Sequence, residues 1–189
     1  MKHLFSFFLT FILGFYGLFG QTPVEKNGFI AVRGTKMYNQ SGQAVQLKGI
    51  ASHGMQWYDN CYTKESLKAI RDDWKADLFR ITVYVNEGGY STDTAKFLKR
   101  IDQIIGWCEE LGLYYMVDWH VLSPGDPFDP TYAGAKNFFT YMAKKHGKKP
   151  NLIFELCNEP NPNVDKGGPD WSRIKSYAES MIKEIRKYT

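Results

Sequence analysis

The fold is decided by the stretch FLKRIDQIIGWCEELGLYYMVDWH, residues 97–120. Its first part repeats apolar residues with a helical period, so that one face carries Phe97, Ile101, Ile104, Cys108 and Leu111. Gly112 follows as a helix stop signal. The run Leu113–Val117 is short and continuously apolar, which is typical of a buried strand. The stretch therefore predicts a helix followed directly by a strand of a parallel sheet.

The same alternation extends through most of the chain. Strand-like apolar runs occur at Val45–Ile50, Leu78–Val83, Leu113–Val117 and Leu152–Leu156. Leu67, Ile70 and Trp74 predict one further helix face, which Thr63 opens as an N-cap. Two more helix faces are predicted by Phe138, Phe139 and Met142, and by Ile174, Tyr177, Met181 and Ile185. A hairpin from Phe29 to Tyr38, turning at Arg33-Gly34, precedes the first unit.

Four strand-helix units predict an α/β fold with parallel strands and right-handed crossovers. The strands begin at residues 45, 78, 113 and 152, on average about 36 residues apart, and eight such units need roughly 280 residues, close to a (β/α)₈ TIM barrel. The chain has 189 residues and supplies the hairpin and the first four βα units. The spacing alone leaves two alternatives, a small open sheet or the first half of a barrel.

Composition excludes several classes of protein. The 24 basic and 20 acidic residues are spread along the chain and leave a net charge of only +4, which disfavours a nucleic-acid binder. The three cysteines, Cys61, Cys108 and Cys157, lie far apart without a CxxC pair. This spacing excludes a zinc ribbon or a dense disulfide scaffold, and it leaves the pairing of the thiols open.

The first twenty residues form a segment of their own. Lys2 precedes the apolar and aromatic run from Leu4 to Gly20, and the polar residues Gln21 and Thr22 follow. This order is typical of a secretory signal peptide, so we expect residues 1–20 to be removed and residues 21–189 to be secreted, free of the membrane. The alternative is an uncleaved N-terminal anchor.

Polar and aromatic residues gather where the predicted strands end. Functional groups of parallel α/β folds collect at the C-terminal strand ends. Those ends carry His53, Trp57, Arg80, Tyr84, Asp118, His120, Asn158 and Glu159. Each residue alone has an ordinary structural explanation, but their recurrence at four successive strands predicts a functional site.

Two other chemistries are disfavoured. His53, His120 and Asp118 can supply three zinc ligands, but no HxH or HExxH pair accompanies them. Gly88-Gly89 lacks the GxGxxG spacing of a phosphate-binding loop.

The two glutamates of the fourth strand are too far apart to act as a pair. By strand alternation Glu155, Cys157 and Glu159 share a face, and four residues of strand span about 13 Å. Glycosidases hold their two carboxyl groups about 5–5.5 Å apart when they retain configuration and about 6.5–9.5 Å apart when they invert it. We therefore expect Glu159 to be exposed at the strand end, and Glu155 to lie one layer down, paired with Arg80.

Taken together, these motifs resemble glycoside hydrolase family 5, the cellulase family A group of (β/α)₈ barrels, from about Gly28 to the end of the chain. The most specific matches are Asp118-Trp119-His120 and the segment from Phe154 to Pro160. Further matches are Gln46–Ile50, Ser52-His53-Gly54, Gln56-Trp57-Tyr58, Leu67–Trp74, Phe79-Arg80 and Gly88-Gly89-Tyr90.

The resemblance implies a secreted endo-β-1,4-glucanase that hydrolyses cellulose-type glucans with retention. Glu159 would be the general acid/base, and Asn158 would bind the sugar 2-hydroxyl. Arg80, His53, His120 and Tyr84 match positions that orient the carboxylates and the substrate. Trp57 would stack on a glucosyl ring. The implied enzyme needs no metal or organic cofactor, and we expect the full-length protein to be a monomer.

The chain departs from the family pattern in one respect. The family nucleophile is a Glu on the seventh strand, usually within Glu-Trp-Gly, and that tripeptide does not occur in these 189 residues. We therefore expect the chain to be the N-terminal half of such an enzyme, inactive by itself. The alternatives are a mannanase or xylanase on the same scaffold, and a half-barrel that binds sugar without cleaving it.

Overall fold

The computed structural model describes residues 20–161 and 170–189, so the predicted signal peptide lies outside the described residues except for Gly20. The strands are β1 Ala31–Arg33, β2 Lys36–Tyr38, β3 Gly49–Ala51, β4 Leu78–Tyr84, β5 Tyr114–His120 and β6 Leu152–Glu155. The helices are α1 Pro23–Asn27, α2 Met55–Tyr58, α3 Lys64–Asp72, α4 Thr94–Leu111, α5 Ala135–His146 and α6 Trp171–Ile185. Short 3₁₀ turns occur at Asp59–Cys61 and Pro130–Tyr132.

The main sheet is parallel, with the strand order β3-β4-β5-β6. Strand order equals chain order, so each crossover adds the next neighbour in one direction. Successive strands of a (β/α)₈ barrel are arranged in this way, whereas the order reverses in a doubly wound sheet. The register brings Tyr84 opposite His120 and Asp118 opposite Glu155, which places the polar residues of three strands side by side.

The core lies between this sheet and the helices that cover its outer face. The apolar face predicted for α4 is buried, and the side chains of Phe138, Phe139 and Met142 on α5 are fully buried. Trp119 is also fully buried, with ring centroids 5.1 Å from Phe138 and 5.2 Å from Tyr90. The two central strands, β4 and β5, are therefore well packed on their outer side, and they carry the polar residues described below.

The first strand differs from its prediction. The sequence predicted a strand over Val45–Ile50, but β3 covers only Gly49–Ala51. The preceding residues are drawn towards the hairpin, because Ala44 forms a bridge to Tyr38 and the Val45 amide donates to the Met37 carbonyl over 3.0 Å. The hairpin itself is confirmed, with its turn at Gly34-Thr35, one residue later than predicted.

The prediction for Trp74 was wrong. The Thr63 hydroxyl accepts from the Ser66 amide and caps α3 as predicted, but the helix ends at Asp72 and leaves Trp74 70% exposed. The chain reverses after Trp74 through Lys75, whose φ is +57°, and the Ala76 amide bonds to the Ile70 carbonyl. Ala76, only 4% exposed, is buried where Trp74 is not.

The N-terminal end of the sheet is closed by α1 and by the end of α4. Gly112 terminates α4 in the left-handed region at φ +64°, as predicted from its position. A Cβ on Gly112 would lie 2.3 Å from the Thr22 hydroxyl oxygen, which caps α1. The Val24 amide also donates to the Gly112 carbonyl over 3.1 Å. Gly112 therefore ends α4 and also leaves the space in which α1 packs against that end.

No helix among residues 20–161 and 170–189 is long and apolar enough to cross a membrane.

We expect Gly112→Ala to lower the free energy of unfolding of the full-length protein by at least about 1–2 kcal/mol, because a left-handed backbone strains a residue with a Cβ. The clash with Thr22 adds to this cost. Gly106→Ala is the matched control: Gly106 lies inside α4 with open space around it, so the same change should stabilise the helix by up to about 1 kcal/mol. Equal stability of the two variants in denaturant unfolding would contradict the role given to Gly112.

Candidate active site

Arg80 joins the polar residues of three strands. It lies on β4, and its guanidinium donates to both carboxylate oxygens of Glu155 on β6, from Nε over 2.5 Å and from Nη2 over 2.7 Å. Nη2 also donates to Asn158 Oδ1 over 2.9 Å and lies 2.8 Å from Asp118 Oδ2 on β5. The predicted pair of Arg80 and Glu155 is thus confirmed, with side chains 19% and 25% exposed, and it includes a second carboxylate.

Asp118 connects this group to His120. The Asp118 side chain is fully buried, and its Oδ2 lies 2.6 Å from Nδ1 of His120. Burial, reinforced by the charge of Glu155, raises the pKa of Asp118 above its usual value, while His120 and Arg80 oppose that rise. A carboxylate inside a parallel sheet is stable only with such partners.

An aromatic cluster of His53, Trp57, Tyr84 and His120 lies beside these charges. Tyr84 is at its centre, with ring centroids 4.2 Å from His120, 4.8 Å from Trp57 and 5.7 Å from His53. Trp57 is 45% exposed, so it is not a core residue. The cluster gives the C-terminal edge of the sheet a surface with a large apolar area and several polar atoms.

Asn158 and Glu159 follow β6 on a loop. Strand alternation predicted that Glu155, Cys157 and Glu159 share one face of a strand, but β6 ends at Glu155. The alternation breaks because the loop is anchored by its own hydrogen bonds: Tyr177 donates to the Leu156 carbonyl over 2.9 Å, and Asn158 Nδ2 donates to the Val121 carbonyl over 3.1 Å. Asn158 therefore reaches Arg80 from the same side as Glu155, which strict alternation forbids.

Glu159 is exposed, as predicted, and its backbone is held: Asn161 Nδ2 donates to the Glu159 carbonyl over 2.8 Å. Its charge contributes to the raised pKa of Tyr84, after burial and the charges of Glu87 and Asp118. Glu87 is exposed on the loop after β4. Burial also raises the pKa of the Cys157 thiol to about 11, which disfavours a thiolate beside these carboxylates.

Within the described part of the chain, no three His, Cys, Asp or Glu side chains are grouped so that they could hold a metal ion. Nδ1 of His120 faces Asp118 Oδ2, and the same oxygen faces the Arg80 cation. The zinc alternative of His53, His120 and Asp118 therefore has no support in the geometry.

The structure brings together the predicted residues Arg80, His53, His120, Tyr84, Trp57 and Asn158, with Glu159 next to Asn158. Apart from the disfavoured zinc alternative, the sequence predicted Asp118 only as one of the residues at the strand ends. It predicted no role for Tyr58, whose ring lies 5.3 Å from that of His53. A signal for Asp118 was present, because residues two apart on a strand share a face, as Asp118 and His120 do.

Comparison with known proteins identifies the family. The family model Cellulase (glycosyl hydrolase family 5) matches residues 38–189. Endoglucanase E-5 of Thermobifida fusca is 45% identical over 166 residues, covering 88% of this chain and 34% of the relative. Endoglucanase MaCel5A of Microbulbifer sp. is 42% identical over 169 residues, covering 88% of this chain and 32% of the relative. The chain thus spans about a third of the length of these relatives.

Solved structures agree with the sequence relatives. The catalytic domain of the Thermobifida fusca endoglucanase Cel5A superposes with a TM-score of 0.81 at 44% identity, covering 89% of this chain and 53% of that chain. A variant of that domain, solved in complex with cellotetraose, gives the same TM-score. The four described units match the corresponding part of a (β/α)₈ barrel. The chain belongs to the cellulase family, glycosyl hydrolase family 5.

Proposed function

We propose that the chain is the N-terminal half of the catalytic barrel of a secreted endo-β-1,4-glucanase, which cleaves cellulose-type glucans with retention of configuration. The observation that carries the proposal is the Arg80 cluster, formed by Arg80 with Glu155, Asp118 and Asn158. This cluster holds Asn158, next to Glu159, at the C-terminal edge of the sheet. His53, Tyr84 and Trp57 form an exposed surface at the same edge. The endoglucanase names of the relatives and the cellotetraose bound to a variant of the Thermobifida fusca domain support this substrate class.

In this proposal Glu159 is the general acid/base. It donates a proton to the leaving glycosidic oxygen in the first step and removes a proton from water in the second. Its exposed carboxyl group is free to do so, because no described side chain hydrogen-bonds to it. In the same proposal Asn158 binds the 2-hydroxyl of the sugar; its fixed position between Arg80 and the Val121 carbonyl supports this role.

Retention requires a second carboxylate about 5–5.5 Å from Glu159, which acts as the nucleophile. Glu155 and Asp118 are unsuited, because both are held by the Arg80 cation. We propose that the nucleophile lies in a segment beyond residues 1–189. The chain spans about half the length of the solved catalytic domains it matches, and Glu-Trp-Gly is absent from its sequence.

Residues 1–20 are proposed to be the signal peptide that directs secretion, and the rest of the chain to act on an external glucan as a monomer in its full-length form. The order of Lys2, an apolar run and a polar boundary supports the signal peptide.

We expect Glu159→Gln to reduce kcat on carboxymethyl-cellulose about 100- to 10,000-fold in the full-length protein, because the amide can neither donate nor remove the proton. Glu179→Gln, an exposed change on α6, is the control and should leave kcat unchanged. Residues 21–189 alone should hydrolyse no faster than their own Glu159→Gln variant. Clear Glu159-dependent cleavage by residues 21–189 would contradict the missing nucleophile. Preference for mannan or xylan over cellulose would favour a mannanase or a xylanase. Tight sugar binding by the full-length protein without cleavage would favour a binding module.

We expect Arg80→Ala to lower both stability and rate. The change leaves the carboxylates of Glu155 and Asp118 without their shared cation, and an uncompensated, mostly buried charge costs about 3–5 kcal/mol. Lys68→Ala, which breaks an exposed pair with Asp72, should cost less than about 1 kcal/mol. Unfolding in denaturant measures the free energy of unfolding of both variants. An Arg80→Ala variant as stable as Lys68→Ala would show that the carboxylates around Arg80 are solvated.

We expect Trp57→Ala to weaken binding of cello-oligosaccharides about tenfold, roughly 1.4 kcal/mol. The change should raise KM more than it lowers kcat, since stacking acts on the ground state and the transition state alike. Trp74→Ala removes an exposed indole of the same size at the end of α3 and should leave binding unchanged. A Trp57→Ala protein that loses thermal stability while the folded fraction keeps its affinity would identify Trp57 as a packing residue instead.

A further inference from the structure

Asp118 is held in an asymmetric way. Its side chain is fully buried in β5, and both of its strong interactions fall on one oxygen: Oδ2 lies 2.6 Å from His120 Nδ1 and 2.8 Å from Arg80 Nη2. Oδ1 is buried and has no hydrogen-bond partner within the described part of the chain. An unpaired buried oxygen is costly, so such an arrangement calls for a functional explanation.

The asymmetry determines which nitrogen of His120 carries a proton. Arg80 only donates hydrogen bonds, and a proton on Oδ2 would face its cation, so Oδ2 is an acceptor. His120 Nδ1 must then be the donor in the 2.6 Å contact. Nε2 of the same ring has no hydrogen-bond partner among residues 20–161 and 170–189, and the Tyr84 ring packs against the imidazole at 4.2 Å.

We propose that Asp118 is a positioning residue, which fixes His120 in the Nδ1–H tautomer so that Nε2 accepts a hydrogen bond from a substrate hydroxyl or from Glu159. The role in catalysis rests on the glucanase function proposed above. Asp118 also connects His120 to Arg80, and Arg80 holds Asn158, so one carboxylate aligns groups from β4, β5 and the loop after β6. Burial raises the pKa of Asp118, and the donors on Oδ2 oppose that rise.

A second Asp–His pair in the chain provides a matched control. Asp102 on α4 lies 2.9 Å from Nε2 of His146 on α5, and it also accepts from Tyr141 over 2.5 Å and from Lys145 over 2.6 Å. This pair joins two helices on the outer side of the sheet, away from the aromatic cluster. Asp102→Asn therefore makes the same chemical change in a contact that only supports packing.

The first experiment measures the tautomer directly. In full-length protein labelled with ¹⁵N-histidine, the chemical shifts of the ring nitrogens distinguish Nδ1–H from Nε2–H, and a His120→Gln variant assigns the signals. We expect the Nδ1–H form for His120 in the wild type and its loss in Asp118→Asn, whose amide can donate to Nδ1. An Nε2–H signal in the wild type overturns the proposal. The wild-type measurement alone decides this point if Asp118→Asn fails to fold.

The second experiment measures kinetics on cello-oligosaccharides. Asp118→Asn should lower kcat about 10- to 100-fold, the range found when the carboxylate behind a metal-bound histidine is replaced, with little change in KM. Asp102→Asn should stay within about twofold of the wild type. Equal kcat values for the two variants overturn the positioning role even if the tautomer is as expected. If the wild-type protein cleaves no β-glucan, the proposed function fails, and the NMR result still decides whether Asp118 sets the His120 tautomer.

Discussion

The candidate site depends on the placement of one cation, the Arg80 guanidinium, between the carboxylates of Asp118 and Glu155. Without it, two acidic side chains on neighbouring parallel strands, paired in register, would repel each other inside the sheet. With it, both carboxylates contact one guanidinium, and Nη2 of Arg80, which contacts both of them, also donates to Asn158 Oδ1. The geometry of three strand ends therefore follows from a single charge on β4.

Much of this arrangement could be read from the sequence, because its physical causes are local. The period of α4 and its Gly112 stop require only apolar spacing and a residue that tolerates a left-handed backbone. The Arg80–Glu155 pair was predictable because an acidic residue in an apolar strand needs a nearby cation. The exposure of Glu159 followed from its position after the last strand.

The remaining features depend on contacts that sequence spacing does not reveal. Trp74 leaves the helical face because the chain reverses at Lys75. A lysine at a left-handed position gives no sequence signal for a turn, whereas a glycine would. Asn158 meets Arg80 because Tyr177 and Val121, distant in sequence, anchor the loop after β6. Asp118 was placed at the end of the third strand, but its link to His120 becomes clear only once β5 extends to His120, three residues beyond the predicted strand end.

The contact between α1 and the start of β5 has a practical consequence for handling the protein. Thr22 lies close to Gly112, and the Val24 amide donates to the Gly112 carbonyl, at the end of the sheet opposite the aromatic cluster. The length of β5 separates the two ends by about 20 Å. The chain therefore enters the described fold at Thr22, on the side remote from Trp57. A linker attached there would immobilise the protein on a solid support with its sugar-facing surface turned towards the solution.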